Sequence, residues 1–312
     1  MTEARAPGEL LELVGAHIAT WAPVVRQRHG FDLLVGDATE LARQRRQQAR
    51  TVLVSEAVLA DLGATGAGPV VLMKGLEVAQ LYPALTHRPF RDVDVLVRDA
   101  PALWQRYVDA GYRPNPRRRV DIDHHHLPAL AAPHGPVGVE LHHRPNLPAW
   151  VQIDAERFFE TAQPSRTGIE GVRRPRDDLH ALLMAMHGWI GGFARLRDLL
   201  DALLLASVSA VPVAETAAEL GLRRFWTWTE RIAEAELLGR ASPLTRGVTR
   251  ALVPRRAGRS ARTRTRVLAP YLVANPIAVT RGHAADYRLG REARRLTAPS
   301  EAVGQSGPPA SS

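Results

Sequence analysis

The sequence contains no cysteine, which excludes disulfide bonds, thiolate metal sites and thiol nucleophiles. It also has no apolar run long enough to span a bilayer, because the most apolar stretch, ALLMAMHGWIGGF, is short and contains a histidine. The N-terminus lacks the basic-then-apolar layout of a secretory signal. We therefore expect a cytoplasmic protein with neither a disulfide partner nor a membrane partner.

Lysine is nearly absent as well. Of the 41 Lys and Arg residues, Lys74 is the single lysine, and the formal net charge is +9. This charge indicates an anionic partner such as a nucleotide or nucleic acid, although a general preference for arginine over lysine also explains it. Since an ammonium is compact and a guanidinium is a wide planar fork, the lone lysine indicates a tight site such as a phosphate-binding turn. Chance survival of one lysine is the alternative.

Aromatic residues make up only 5% of the chain, which bears on two arginine-rich segments, 117–119 and 255–266. Both segments suit the phosphates of RNA. Neither has interleaved aromatic side chains on which bases would stack, so recognition of single-stranded RNA is poorly supported.

Hydrophobic periodicity predicts helices over 8–29 and 38–62. The second begins at Asp37 with Glu40 three positions later, which is the spacing of a capping box. Further helical patterns follow Trp150 and cover 176–189, 193–207 and 213–239. We expect an N-terminal helical segment over 1–65, a helical C-terminal domain over 151–296, and a disordered tail rich in Pro, Ser and Gly over 297–312.

Between the helical parts, residues 66–150 alternate between strand and helix patterns, which predicts a small α/β core. Strands are predicted over 70–73, 92–97 and 137–143, with a Lys74-Gly75 turn after the first. Helices are predicted after that turn, ending near Pro83, and over 101–112.

The segment DVDVLV places two acids on one strand face. Side chains two residues apart in a strand point the same way, so Asp92 and Asp94 share a face while Val93, Val95 and Val97 line the buried one. Two neighbouring carboxylates repel each other unless a cation lies between them, and a divalent cation with oxygen ligands is the usual occupant. An exposed strand face balanced by nearby arginines is the alternative.

A third acid comes from the segment VGVELHH, in which Glu140 and His142 share one strand face. If this strand lies beside DVDVLV, Glu140 approaches the two aspartates. Three converging carboxylates suit a two-metal phosphoryl-transfer site. Asp121 and Asp123 are the other candidates for the third carboxylate.

The chain resembles the uncharacterised bacterial nucleotidyltransferases of the DNA-polymerase-β-like superfamily in a set of motifs that follow one another in order. These motifs are Lys74-Gly75, Tyr82-Pro83, Arg88 with Asp92 and Asp94, and Glu140-Leu141-His142. The resemblance covers roughly residues 40–205. It implies an α+β fold, in which a polymerase-β-like core of a small mixed sheet and helices is joined to N-terminal helices and a C-terminal helical domain.

The resemblance also implies an enzyme that moves a nucleoside monophosphate from a nucleoside triphosphate (NTP) to an acceptor hydroxyl and releases pyrophosphate. Asp92, Asp94 and Glu140 would be the catalytic residues and would hold two Mg²⁺ ions. The Gly75 N–H would meet phosphate at the start of the following helix, where the helix dipole favours anions. The nucleotide-binding residues would be Lys74, Gly75, Arg88 and Arg91.

The acceptor stays open: a small molecule, a peptide or protein, or RNA. His126 and His142 are possible acceptor-side residues. Two alternatives to the general transferase remain, namely a toxin-type enzyme that modifies tRNA and a nucleotide-binding scaffold without turnover.

Histidines near the third strand allow a different prediction, a zinc or iron metallohydrolase. Its ligands would come from Asp121, Asp123, His124, His125, His126, His142 and His143. Consecutive histidines in an extended chain cannot all point at one ion, and no H-x-x-x-H spacing is present, so the transferase is preferred.

Polar residues on the later helical patterns have more than one interpretation. His187 lies on an apolar face and is predicted to be a core histidine. Asp198 and Asp201, with Arg195 and Arg197, either close the nucleotide pocket or form ordinary salt bridges along a helix.

Overall fold

The computed structural model describes residues 6–253 apart from 36–37, 67, 115–124, 134, 136, 149 and 152, together with short stretches between 270 and 284. Several residues singled out in the sequence lie outside the described part. They are Asp37 and the side chain of Glu40, Asp121, Asp123, His124, the arginine-rich segments 117–119 and 255–266, and the tail 297–312.

Three helices precede the sheet: α1 (Pro7–Ile18), α2 (Pro23–His29) and α3 (Ala38–Ala64). The single helix predicted over 8–29 is therefore two helices. Pro23 starts the second one, since a proline fits the first turn of a helix but lacks the N–H needed in its interior.

A mixed sheet of seven strands lies at the centre of the described structure. Its strands are β1 (Val70–Leu72), β2 (Asp92–Leu96), β3 (Arg113–Pro114), β4 (Leu130–Ala131), β5 (Gly138–His142), β6 (Gln163–Pro164) and β7 (Val172–Arg174). They follow the order β3-β4-β5-β2-β1-β7-β6. The pairs β2–β5 and β1–β7 are parallel, and the other neighbours are antiparallel.

Helices cover the sheet and continue beyond it. They are α4 (Leu76–Ala79), a 3₁₀ helix (Leu85–His87), α5 (Ala100–Asp109), α6 (Ala155–Glu160), α7 (Asp177–Ile190), α8 (Arg197–Val208), α9 (Val213–Glu219), α10 (Arg223–Leu237) and α11 (Pro243–Leu252). The pattern over 213–239 is thus two helices, because Gly221 between them takes a left-handed backbone conformation with φ of 69°.

The two faces of the sheet pack into different apolar clusters, as the alternation in β2 predicts. Val93, Val95 and Val97 belong to a cluster that also contains residues of α3 and α5, among them Leu62 and Leu103. On the opposite face, Val71 and Leu96 belong to a larger cluster with residues of α1 and of helices α7 to α10. The face that carries the two aspartates is therefore turned toward the helical part of the chain.

The sheet continues past residue 150, where the helical C-terminal domain was expected to begin. Strand β7 pairs in parallel with β1, with Val70 opposite Val172. The buried carboxylate of Glu77 accepts hydrogen bonds from the Ser165 hydroxyl at 2.5 Å and from the Arg166 side chain at 2.9 Å. These contacts join the two-stranded extension to α4, so the core reaches at least Arg174.

Within the described residues, no single helix is long and apolar enough to cross a membrane. Helices α8 and α9, which meet at a bend of 102°, have sufficient length and apolar character only when they are taken together.

Helix α3 approaches the turn before β7 so closely that two glycines are required. A Cβ atom on Gly63 would lie 2.1 Å from the carbonyl oxygen of Glu170, and one on Gly171 would lie 2.5 Å from the carbonyl oxygen of Gly63. This contact fixes the C-terminal end of the long helix against the sheet. The N-terminal half of the same helix then borders the cavity described below.

We expect Gly63→Ala to lower the free energy of unfolding by about 1–3 kcal/mol, because the added methyl overlaps a backbone oxygen that cannot move alone. Gly15→Ala is the matched control, since Gly15 also lies within a helix but a Cβ there meets no atom within 4 Å. It should leave stability unchanged or raise it by up to about 1 kcal/mol. Urea denaturation of both variants measures the difference, and equal effects would contradict the close packing.

Candidate active site

The parallel pairing of β2 with β5 brings two predicted site residues together. Asp94 lies directly opposite Glu140 in the register, and Asp92 lies opposite Gly138. Oxygens of Asp94 and Glu140 and a ring nitrogen of His142 all lie within 4.8 Å of one another. All three residues are buried. We call Asp94, Glu140 and His142 the acidic cluster.

Lys74 neutralises part of this cluster. Its Nζ lies 2.8 Å from Oδ1 of Asp94. Burial acts to lower the pKa of Lys74, but Asp94 and Asp92 outweigh it and raise the pKa, so the ammonium stays charged. Burial likewise acts to raise the pKa of Asp94, but Lys74 and His142 hold it well below its usual range. The two residues therefore form an ion pair between the turn after β1 and strand β2, with Asp94 fully buried and Lys74 16% exposed.

His142, a possible acceptor-side residue by the sequence, lies inside the cluster. Its Nε2 is 3.2 Å from Oδ1 of Asp94 and 3.8 Å from Oε2 of Glu140. Burial lowers the pKa of His142 to about 4, so the imidazole is neutral near pH 7. The shared strand face of Glu140 and His142 was the sequence signal for this position. His126 lies next to the cluster, with Nε2 3.9 Å from Oε2 of Glu140.

The acidic cluster fits a divalent cation. Oδ2 of Asp94 is buried and has no hydrogen-bond partner among the described residues, which is costly for a carboxylate oxygen unless it has a ligand. Carboxylate oxygens suit Mg²⁺, and a neutral imidazole nitrogen is a common ligand for transition metals. The donor set of Asp94, Glu140 and His142 thus fits a metal ion on chemical grounds.

Asp92 lies outside that three-residue group and faces a cavity instead. Burial and the charge of Asp94 raise the pKa of Asp92. Among the described residues, no hydrogen bond or ion pair engages its carboxylate. Asp92 is therefore the residue of β2 that lines the cavity, two positions before Asp94.

The cavity has a volume of about 630 Å³ and an excess of positive charge. Its walls come from α2, α3, the turn after β1, the segment before β2, α7 and the start of α8. Three acids line it: Asp32, Asp92 and Asp198. The basic side chains that line it are Lys74, Arg28, Arg43, Arg88, Arg91, Arg195 and Arg197. A polyanion suits such a surface.

Gly75 gives the turn after β1 its shape. Its φ is 62°, and a Cβ there would lie 3.0 Å from the carbonyl oxygen of Asp92. Glycine is therefore the residue that lets the turn approach β2. The helix that follows, α4, has only four residues, so the favourable helix dipole expected at the Gly75 N–H is that of a single turn.

Arg88, expected at a phosphate, is bound to an acid of the helical part. Its Nε and Nη2 donate to Asp201 at 3.0 and 2.8 Å, and its Nη1 donates to the carbonyl oxygen of Gly75 at 3.1 Å. The hydroxyl of Tyr82 donates to the same carboxylate at 2.7 Å. Arg88 is 3% exposed and Asp201 is fully buried. These contacts make Arg88 a positioning residue that holds the Lys74-Gly75 turn against α8.

Asp198, like Asp201, pairs with a residue of another element and not along α8. Nδ1 of His187 is 3.0 Å from Oδ2 of Asp198, which connects the two helices. Burial acts to raise the pKa of Asp198, but His187 and Arg197 lower it to about 2. His187 was expected in the core; it is about one-third exposed and lines the cavity.

A model of the uncharacterised nucleotidyltransferase family matches residues 28–235, which is more than half of the chain. The chain belongs to this family. The matched range takes in α3, the whole sheet and the helices from α7 to most of α10, and therefore includes the acidic cluster and most of the cavity wall. Among curated proteins and among solved structures, nothing matches the chain.

Membership in the nucleotidyltransferase family makes the protein an enzyme of that type and confirms the resemblance found in the sequence motifs. The expected α+β fold is also confirmed, since a mixed sheet is flanked by helices on both faces. Among the described residues of the metallohydrolase prediction, His142 lies in the acidic cluster, and the rings of His125 and His126 lie beside it, with centroids 5.0 and 5.1 Å from that of His142. His143, by contrast, is exposed.

We expect Asp201→Asn to lower the free energy of unfolding by about 3–5 kcal/mol, because the buried guanidinium of Arg88 loses its anionic partner. The exposed pair Arg98–Glu156 provides the control, since its side chains are 50% and 42% exposed. Glu156→Gln should cost less than about 1 kcal/mol. Denaturant titration measures both changes, and a small effect of Asp201→Asn would show that the buried pair does not hold the turn.

Stability should fall in mild acid because of His180, a buried residue whose Nε2 is 2.6 Å from the carbonyl oxygen of Met73. Burial lowers the pKa of His180 from 6.5 to about 3. Between these values the unfolded chain binds a proton that the folded chain does not, so folding is opposed as the pH decreases. From pH 7 to pH 5 this amounts to about 2 kcal/mol.

His180→Gln should remove that part of the pH dependence, whereas substitution of the exposed His143 by Gln should leave it unchanged. Urea denaturation of the three proteins at pH 7 and pH 5 gives the comparison. An identical loss of stability in wild type and His180→Gln would mean that His180 is not the group responsible.

Proposed function

We propose that the protein transfers a nucleoside monophosphate from an NTP to an acceptor hydroxyl, with release of pyrophosphate and in dependence on Mg²⁺. The observation that carries this proposal is the register of β2 and β5, which sets Asp94 opposite Glu140 while Asp92 faces a cavity rich in cations. An acidic cluster next to a polycationic cavity suits a metal-bound phosphate chain. Membership in the nucleotidyltransferase family supports the same reaction class.

Asp92, Asp94 and Glu140 would hold the metal ions, of which this chemistry commonly uses two. When bound, such ions offset the charge that develops on the transferred phosphoryl group and make the attacking hydroxyl more acidic. The unpartnered Oδ2 of Asp94 supports its role as a ligand. Glu140, buried and opposite Asp94, would accept the proton of the acceptor hydroxyl.

The remaining roles follow from where each side chain lies. Lys74 and Gly75 form the turn at the cavity, and Arg91 lines it from an exposed position, so these residues would contact the nucleotide. His126, beside Glu140, would lie on the acceptor side. The acceptor belongs to one of three classes: small molecule, peptide or protein, or RNA.

The reaction is tested by incubating the full chain with each labelled NTP, Mg²⁺ and either total RNA or cell extract, while following pyrophosphate release. We expect pyrophosphate to form with at least one NTP, and the labelled product identifies the acceptor class. Label in tRNA would favour the toxin-type alternative. Nucleotide binding without pyrophosphate release under all conditions would leave the scaffold alternative and end the transferase proposal.

Asp92→Asn, Asp94→Asn and Glu140→Gln should each lower turnover at least about a hundredfold, because each removes a negative charge from the metal ligands. Asp109→Asn is the control, since Asp109 is an exposed acid at the end of α5. Circular dichroism and thermal melting check that each variant is folded. A folded Asp94→Asn variant with wild-type turnover would eliminate the metal assignment.

A further inference from the structure

One cation of the cavity wall is buried and yet has no ion pair with an acid among the described residues. Arg197 is 6% exposed, and its Nη1 donates to the carbonyl oxygen of Pro89 at 2.6 Å. Its Nε is buried without a partner, and no carboxylate of the described residues lies within ion-pair distance. Arg88 is also buried, but its guanidinium is paired with the carboxylate of Asp201. The guanidinium of Arg88 is thus neutralised by an acid, whereas that of Arg197 is hydrogen-bonded to a backbone carbonyl.

The acids closest to Arg197 in sequence are occupied by other groups. Asp198 is hydrogen-bonded to His187, and Asp201 is bound by Arg88 and Tyr82. Burial lowers the pKa of Arg197, and the charge of Arg88 lowers it further, against the attraction of these two acids. A buried cation without a direct anionic partner is destabilising, so its retention in a cavity wall indicates an external anion.

The guanidinium of Arg197 is held in one place. The hydrogen bond to Pro89 fixes it from one side, and the backbone of Gly30 packs on the other, where a Cβ would lie 3.2 Å from Nη1. Arg195, two residues earlier, is exposed and lines the same cavity. Arginine forks bind phosphate oxygens in pairs, and a fixed fork loses little entropy when it does so.

We propose that Arg197, together with Arg195, binds the β- and γ-phosphates of the NTP, the part that leaves as pyrophosphate. Asp92 lines the cavity from β2, whereas Arg197 lines it from the start of α8 and Arg195 from the segment just before, so one extended polyphosphate would contact both sides. Arg197 is the first residue of α8, a helix of 12 residues whose N-terminal dipole adds positive charge there. This assignment rests on the proposed function, since it names the site of its leaving group.

The test measures binding of inorganic pyrophosphate and of inorganic phosphate to the full chain by calorimetry, with EDTA present so that no turnover occurs. Wild type should bind pyrophosphate more tightly than phosphate. Arg197→Gln should weaken pyrophosphate binding at least about tenfold, and Arg195→Gln about threefold, because each removes charge-assisted hydrogen bonds. Arg98→Gln, which removes the same charge from an exposed pair outside the cavity, should change nothing.

Melting curves without ligand show whether Arg197→Gln is folded; if it is not, the exposed Arg195→Gln variant decides. Unchanged pyrophosphate affinity in a folded Arg197→Gln variant overturns the assignment and leaves the transferase proposal intact. Absence of pyrophosphate binding by wild type also overturns it. Binding that depends on Arg197, in a protein that turns over no NTP, upholds the anion site and rejects the transferase function.

Discussion

The ion pair between Lys74 and Asp94, 2.8 Å apart, is the interaction on which the candidate site depends. Asp94 and Glu140 are neighbours across a parallel strand pair, and two buried carboxylates this close repel each other. A single ammonium from the turn after β1 compensates part of that repulsion and keeps Asp94 ionised. A compact point charge suits this place, where the turn is so close to β2 that residue 75 must be glycine. The lone lysine of the chain lies at this ion pair.

A second buried pair connects the acidic cluster to the helices. Arg88 joins Asp201 of α8 to the backbone of the Lys74-Gly75 turn, and Tyr82 completes the carboxylate's hydrogen bonds. Because a buried pair broken on one side is strongly destabilising, the turn and α8 are held in a fixed relation. The cavity between them therefore has a defined shape, with Asp92 on one side and Arg197 on the other.

The local sequence pattern predicted the structure correctly where a short segment determines its own geometry. The valines of β2 are buried on one face because side chains alternate along a strand, and the same rule put Glu140 and His142 together on one face of β5. The local sequence pattern did not predict a strand whose pairing partner is distant along the chain. Strand β7 has a single buried residue among its three, so its pattern resembles a loop, and it becomes a strand only by pairing with β1.

The sequence by itself determined the chemistry available: no thiols, one lysine, two aspartates on one strand face, and a glutamate with a histidine on another. Tertiary structure alone decided which charges meet. Arg88 and Asp201 are 113 residues apart along the chain. The local sequence around an arginine does not tell whether its guanidinium will pair with a buried acid or line a cavity. That choice depends on how the sheet and α8 pack, since distance and burial set the strength of every pair.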